Sequence, residues 1–116
     1  MCYSVYKLGT QEIQAMNFEF KTTTIEDKME ELIDFVYGVS NTMMHEDAGY
    51  DAERDAVAEI LEKIGGDEMM QRSADAGYDM DLDDFCSLGD VADLIQSDAE
   101  AQLVVDVAIA SWQKYL

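Results

Sequence analysis

Apolar residues recur at helical spacing along most of this chain, and no proline interrupts them. At the start of the pattern, Thr24 stands three residues before Asp27, which is the spacing of an N-cap and the third residue of a helix. Side chains three or four positions apart lie on one face of an α-helix, so residues 24–46 are predicted to form a long amphipathic helix. The residues predicted to face inward are Ile25, Met29, Leu32, Ile33, Val36 and Met43.

Four later segments show the same period, each with recognisable end signals. Gly65 and Gly66 predict a left-handed stop, and Gly77 predicts another. Ser87 and Asp90 form a capping pair before an apolar run. The sequence therefore predicts an all-α fold of about five helices in one small domain. The four later helical segments are 51–66, 67–77, 87–97 and 98–116.

The pentapeptide Asp-Ala-Gly-Tyr-Asp occurs twice, at 47–51 and at 75–79, and each copy follows a Met-Met pair. Both copies stand where a helix is expected to end. Gly49 and Gly77 are therefore predicted to be C-cap glycines, each followed by a tyrosine that can fold back over the last turn. On this interpretation the repeat reflects capping in an acidic helical protein.

A calcium site is the alternative explanation of the repeat. An EF-hand loop requires glycine at position 6 and glutamate at position 12. Counted from Asp79, those positions hold Asp84 and Asp90, and the first copy fits the pattern less well. The sequence therefore predicts no metal and no cofactor, and leaves only weak calcium binding between Asp79 and Asp90 as an alternative.

The first residues differ in character from the rest. Residues 1–20 alternate weakly between polar and apolar side chains, which predicts a short strand or an extended arm ahead of an acidic helical domain at 24–116. Met16 could also initiate translation, so residues 1–15 could be an optional extension. No stretch resembles a membrane span or a secretory signal, which predicts a soluble, cytoplasmic protein. Cys2 and Cys86 are expected to be reduced thiols.

The charge is extreme for a chain that can build a core. The protein has 26 acidic and 7 basic residues, a net charge of −19, although 48% of its residues are hydrophobic. Disorder requires high charge together with low hydrophobicity, so a folded polyanion is expected. Such a surface excludes nucleic acid and anionic membranes as direct partners.

Catalysis is not expected. The only histidine, His45, lies beside Glu46 near a helix end, where a favourable contact with the helix terminus explains it. General acid–base chemistry needs a few carboxylates in a partly apolar cleft and not two dozen in solvent. The sequence also has no glycine-rich phosphate loop and no zinc-protease motif.

The segment YDMDLDDFCSLGDVADLI, at 78–95, resembles the last two helices of acyl carrier proteins, which are also small, acidic and helical. The resemblance implies an Asp-Ser-Leu whose serine carries phosphopantetheine. No Asp-Ser-Leu occurs here, and Ser73 is predicted to lie inside a helix. A carrier function is therefore a minor alternative.

Residues 69–116 are predicted to hold a helix ending in Ala76-Gly77, an acidic link at 78–85, a short helix and a long final helix with a late aromatic residue. In this order of elements and in their acidic, proline-poor composition, residues 25–116 resemble the Ocr-type anti-restriction proteins of phages, and 69–116 is the most similar segment. Residues 1–20 and the absence of an acidic tail depart from the family pattern. The resemblance implies an all-helical dimer that mimics bent B-form DNA and acts in the host cytoplasm on restriction enzymes.

The size of the charge supports mimicry independently. Duplex DNA carries one negative charge per roughly 1.7 Å, so a charge of −19 corresponds to about 32 Å of duplex, or about ten base pairs. The expected mechanism is occlusion of basic clefts in host DNA-binding proteins. The carboxylates expected to stand in for phosphates are Asp27, Glu30, Glu31, Asp34, Asp51, Glu53, Asp55, Glu59, Glu62, Asp79, Asp81, Asp83, Asp84, Asp90 and Asp93.

A homodimer is expected, with a contact through the short helix at 67–76. Methionine packs adaptably and small residues permit close approach, so one apolar patch on this helix is the predicted interface. The competing functional class is a specific acidic inhibitor or adaptor of one host protein, such as an anti-CRISPR protein. The predicted interface residues are Met69, Met70, Ser73 and Ala74.

Overall fold

The computed structural model describes residues 18–116, which form an all-α fold with one short 3-10 turn and no strand within that range. The predicted fold class is therefore confirmed. Residues 1–17, which make up most of the predicted arm, lie outside the described residues. The α-helices are α1 (Ile25–Met43), α2 (Glu46–Ile64), α3 (Gly66–Asp75), α4 (Leu88–Ala92) and α5 (Asp98–Lys114), and the 3-10 turn is Leu82–Asp84.

Two phenylalanines from the end of the predicted arm lie on the helical domain. Phe18 packs on Phe35 of α1 with ring centroids 5.0 Å apart, and it meets Phe20 edge to face at 5.3 Å. Both are partly buried against the core. Residues 18–20 therefore belong to the packed domain.

Helix α1 begins as its sequence predicts. The Thr24 hydroxyl accepts a hydrogen bond from the Asp27 N–H at 3.2 Å, and a stripe of apolar side chains follows on one face. Ile25 and Ile33 are only half-buried and Met43 is exposed, so the predicted inward face is correct mainly in its centre. The buried side chains of α1 are Met29, Leu32, Val36 and Val39.

The end of α1 differs from the prediction, because Gly49 is not its cap. Met44 and His45 both adopt extended backbone, and α2 begins directly at Glu46. Gly49 thus lies in the first turns of α2 and is buried. A Cβ built on it would meet the Ser40 hydroxyl oxygen of α1 at 3.2 Å, so this glycine allows two helices to approach closely.

The core is centred where α2 packs along α5, with α1 against both. Trp112 of α5 is fully buried, and its indole N–H donates a 2.7 Å hydrogen bond to the Ser40 hydroxyl. Ser111 donates a 2.6 Å hydrogen bond to the Ala52 carbonyl of α2. Buried polar groups of α5 are thus paired across the core, as burial requires.

The turn between α2 and α3 uses only one of the two glycines predicted to stop the helix. Gly65 has a φ of +113°, which L side chains rarely adopt, and its N–H bonds to the Leu61 carbonyl at 2.9 Å. Gly66 instead opens α3. A Cβ there would meet Leu82 at 2.9 Å, so the second glycine makes room for the acidic link.

Helix α3 ends as predicted, at the second copy of the pentapeptide. Gly77 has a φ of +92°, its N–H bonds to the Ala74 carbonyl, and the Tyr78 N–H bonds to the Ser73 carbonyl. This pair of bonds is a Schellman motif. Tyr78 is 58% exposed, so its ring does not pack over the last turn.

Arg72 fastens α3 to the rest of the domain. Its guanidinium donates two hydrogen bonds to Glu100 of α5, at 2.8 and 2.9 Å, and others to Glu68 and to the Leu94 carbonyl. The Arg72 side chain is only 10% exposed. The hydrogen bonds from Arg72 lower the pKa of Glu100, against the effect of burial.

Helix α4 begins at its predicted capping pair. The Ser87 hydroxyl accepts from the Asp90 N–H, and Asp90 accepts from the Ser87 N–H, so the predicted capping pair is confirmed. Helix α4 is shorter than predicted, and Leu94 and Ile95 are buried just beyond it. None of the helices within residues 18–116 combines the length and the apolar character of a membrane span.

Candidate target-binding surface

The described part of the chain carries the whole net charge. Glu12 and Lys7 are the only charged residues before Phe18, so residues 18–116 retain a net charge of −19. Five of their six cations lie in ion pairs within the chain. These are Lys28 with Asp98, Arg54 with Asp51 and Asp55, Lys63 with Glu59, Arg72 with Glu68 and Glu100, and Lys114 with Asp55.

Most of the carboxylates predicted to stand in for phosphates are on the surface. Ten of the fifteen belong to exposed residues, and they are distributed over α1, α2, the acidic link between α3 and α4, and the residue that follows α4. They therefore form a spread of charge and not one cluster. The exposed residues are Asp27, Glu30, Asp34, Glu59, Glu62, Asp79, Asp81, Asp83, Asp84 and Asp93.

The other five predicted carboxylates are half-buried, and each has a partner inside the protein. Glu31 accepts from the Lys21 N–H, and Asp51 pairs with Arg54. These groups are less suited to act as phosphate mimics, because their oxygens already serve the fold. The half-buried residues are Glu31, Asp51, Glu53, Asp55 and Asp90.

Asp55 shows how strongly one of these carboxylates is held. The hydroxyl of Tyr115, the C-cap residue of α5, donates to it at 2.5 Å, and the Lys114 Nζ atom lies 3.3 Å away. The hydrogen bond from Tyr115 is the main cause that lowers the pKa of Asp55, with Lys114 contributing after it. The same bond raises the pKa of Tyr115. Asp55 is therefore a structural contact between α2 and α5.

Glu53, two residues before Asp55 on α2, has a similar role. Its Oε2 atom accepts from the Tyr37 hydroxyl of α1 and, at 2.8 Å, from the Leu88 N–H at the start of α4. Burial, followed by the hydrogen bond to Glu53, raises the pKa of Tyr37. One carboxylate thus holds together three helices.

Several exposed acidic residues were missed as candidates by the sequence reasoning. They lie in the first turns of helices or at the end of α3, and the same helical periodicity that places apolar residues inward would have placed them outward. Counting polar positions of each helix would therefore have found them. These residues are Glu26, Glu46, Asp47, Asp67, Glu68, Asp75 and Asp98.

Several grooves interrupt the acidic surface, and two of them lie against α1. The larger, of about 560 Å³, lies between the end of α1 and the start of α2, and we call it the tyrosine groove. The smaller, of about 390 Å³, lies between α1 and the segment after α4, with Glu26, Glu30 and Asp93 around isoleucines. The tyrosine groove is lined by Tyr37, Ser40, Asn41, Met44, Glu46, Gly49, Tyr50 and Glu53.

The predicted dimer patch on α3 is only partly available. Met69 and Ser73 are fully buried within the chain, where the Ser73 hydroxyl donates to the Met70 carbonyl and accepts from the Met80 N–H. These two predicted interface residues are therefore not exposed for contact with a second chain in this fold. Met70 is partly buried against the core, and Ala74 is exposed.

The carboxylates considered for calcium serve the backbone of the acidic link. Asp84 accepts from the Asp81 N–H at 3.0 Å, and Asp90 accepts from the Cys86 and Ser87 N–H groups. Within residues 18–116, no three His, Cys, Asp or Glu side chains are arranged to hold a metal ion.

Comparison with known proteins adds no relative. No protein-family description matches the chain, and neither a curated protein nor a solved structure gives a significant match. The Ocr-type resemblance is therefore a hypothesis supported by sequence features alone.

Proposed function

We propose that this protein is an acidic DNA mimic that occludes the DNA-binding groove of host defence enzymes, with type I restriction-modification complexes as the favoured targets. The observation that carries the proposal is the net charge of −19 on residues 18–116, together with the pairing of five of their six cations inside the molecule. Little positive charge offsets the outward field. The action is binding alone, without chemistry, cofactor or direct contact with nucleic acid.

The dimensions give the charge density that a target would meet. The described residues extend over 50 × 30 × 21 Å, and a duplex 50 Å long carries about 29 phosphate charges. The protein therefore presents about two-thirds of the charge of DNA along its length. This is more dilute than the sequence estimate of about 32 Å implies, because the helices spread the carboxylates over a longer body.

Such a surface can compete with DNA for basic clefts. A polyanion releases counterions when it binds a cleft lined with lysine and arginine, and this release favours binding. The gain does not depend on base sequence. A protein anion offers no base to methylate and no phosphodiester to cut. Competition for the cleft therefore inhibits the enzyme. The Ocr-type resemblance of residues 25–116 agrees with this mechanism.

The test compares two triple variants on different parts of the surface. One neutralises Asp27, Glu30 and Asp34 on α1, and the other converts Asp79, Asp81 and Asp83 of the link to asparagine, which leaves the structural Asp84 intact. A distributed mimic predicts that both triples weaken binding to a DNA-binding target. Each should flatten the slope of log affinity against log salt by up to about 2.7. Single Asp→Asn changes should be nearly silent.

The second candidate function is specific inhibition of one host protein, favoured by the grooves that interrupt the charge. Capture from bacterial lysate at low salt separates the two. Several DNA-binding enzymes released by salt or by duplex DNA support the mimic. A single salt-resistant partner that ignores DNA, with only one triple variant affected, would refute it.

A homodimer would double the charged surface and remains part of the proposal. With Met69 and Ser73 buried, the contact on α3 would have to rely on Met70 and Ala74. Light scattering at micromolar concentration measures the mass directly. A mass near the 13.0 kDa of one chain would exclude the dimer.

A further inference from the structure

The tyrosine groove contains chemistry that a phosphate array lacks. Its walls come from residues of α1 and α2, which follow each other in the chain, and from Met44 between them. Tyr37 is 37% exposed and Tyr50 is 64% exposed, and both present aromatic surface there. Residues that only imitate phosphates would have no need of exposed aromatic rings.

The floor of the groove exists because of Gly49. This residue faces Ser40, and a Cβ at this position would meet the serine hydroxyl at 3.2 Å. The serine is in turn fixed by the Trp112 indole at 2.7 Å. The two helices are therefore held close beneath the groove, and its shape is set by packing before any ligand arrives.

The charge of the groove is negative. Glu46 and Glu53 line it, and no lysine or arginine does. Both hydrogen bonds to Glu53 end on Oε2, and within residues 18–116 Oε1 receives none. The start of α2 contributes a partial positive charge of about half a unit, which the carboxylate of Glu46 more than offsets.

We propose that the tyrosine groove binds an arginine side chain of the target protein. The assignment rests on the proposed function, in which the targets have basic clefts, and on the charge complementarity of the groove. A guanidinium is planar, stacks on aromatic faces and bonds carboxylates in pairs, whereas an ammonium is a more strongly hydrated point charge.

This site divides binding into two parts. The distributed carboxylates supply attraction that salt screens, whereas stacking on Tyr50 supplies an anchor that salt affects less. Aromatic residues that become fully desolvated in a well-packed interface commonly dominate its affinity. The groove therefore gives the mimic a preference for clefts with an accessible arginine.

The test uses NMR titration of the full chain with a capped Gly-Arg-Gly peptide and a matching Gly-Lys-Gly peptide at 0.15 M salt. Saturable shifts at the Gly49 and Tyr50 amides are expected, with tighter binding of the arginine peptide. Tyr50→Ala should weaken that binding by about fivefold. Tyr78→Ala is the matched control, since this tyrosine occurs in the same pentapeptide, is 58% exposed and lies outside the groove.

A second pair of variants tests the charge. Glu46→Gln should weaken the arginine peptide, whereas Asp47→Asn, one position further along α2 and outside the groove lining, should not. Shifts that spread over the acidic surface without saturating, or equal losses in Tyr50→Ala and Tyr78→Ala, would overturn the site.

The site and the proposed function can fail separately. Capture of DNA-competed enzymes with no saturable peptide binding would refute the arginine site and leave the mimic standing. Saturable peptide binding with no DNA-competed partner would refute the mimic and support the arginine site alone.

Discussion

The same five residues, Asp-Ala-Gly-Tyr-Asp, adopt two different structures in this protein. At 47–51 they lie inside α2, and Gly49 is buried against Ser40. At 75–79 they end α3, and Gly77 turns the chain at a φ of +92° with nothing within 4 Å of an added Cβ. The first copy depends on the small size of glycine and the second on its conformational freedom.

The flanking residues decide which property is used. Before the first copy, Met44 and His45 break the helix, so the pentapeptide falls at a helix start. Before the second, Ser73 accepts the Tyr78 N–H on its carbonyl and the Met80 N–H on its hydroxyl, so the chain leaves the helix within the pentapeptide. The two copies therefore share a sequence but not a structure.

The largest effect is expected from a substitution within the first copy of the pentapeptide. Gly49→Val would push branched carbons against the Ser40 hydroxyl, which the Trp112 indole holds in place. We expect the free energy of unfolding to fall by about 3 kcal/mol, measured by urea denaturation. Gly38→Val is the control, because nothing lies within 4 Å of a Cβ there, and it should change stability by less than about 0.5 kcal/mol. Equal effects at the two glycines would contradict the close-approach explanation.

An intermediate effect tests how the helix before the second copy is fastened. Glu100→Gln removes the negative charge that accepts two hydrogen bonds from the Arg72 guanidinium. This change should lower the free energy of unfolding by about 2 kcal/mol at pH 7. Folding lowers the pKa of Glu100, so its contribution is complete above the ordinary glutamate pKa of about 4.3 and is lost as pH falls below it. Wild type and variant should therefore converge towards pH 3.

The control for this prediction is Glu59→Gln. Glu59 is an exposed residue 3.8 Å from Lys63, and its replacement should cost less than about 0.5 kcal/mol at either pH. A difference between wild type and Glu100→Gln that persists unchanged to pH 3 would show that the carboxylate charge is not what fastens α3.

The smallest expected effect concerns the left-handed turn of the second copy. Gly77→Ala meets no neighbouring atom, so its cost is backbone strain alone, about 1 kcal/mol of unfolding free energy. Gly77→Asn should cost less, because asparagine tolerates this conformation better. Urea denaturation of both variants measures the order. An alanine variant as stable as wild type would show that the turn is not strained.

Local signals predicted much of the fold. Thr24, Ser87 and Asp90 cap as their spacing indicates, and Gly65 and Gly77 take positive φ. Each of these depends on contacts within a few residues, which sequence periodicity and capping rules describe.

Contacts between distant segments were not predictable in the same way. Gly49 has the local signature of a cap, yet its role depends on Ser40 across the helix pair. From the sequence, Met69 and Ser73 were predicted to lie at a dimer interface, yet neighbouring elements bury them. The pairing of Arg72 with Glu100 joins residues 28 positions apart, and no local pattern indicates it.

The candidate surface shows the same difference between local signals and contacts with distant segments. Helical periodicity correctly placed Asp27, Glu30 and Asp34 outward on α1. It could not show that Glu53 and Asp55 are committed to hydrogen bonds with residues of other helices. The sequence shows which residues carry a carboxylate. Whether a carboxylate is free to bind a target depends on its neighbours in the folded protein.

Trp112, which is hydrogen-bonded to Ser40, is an intrinsic fluorescence probe of the packed core. The chain has one tryptophan, and that indole is fully buried at the meeting of α1, α2 and α5. Its fluorescence therefore reports whether those three helices are assembled, without any attached dye. Because the tyrosine groove lies over the same serine, ligand capture and loss of packing can be followed by emission from a single ring.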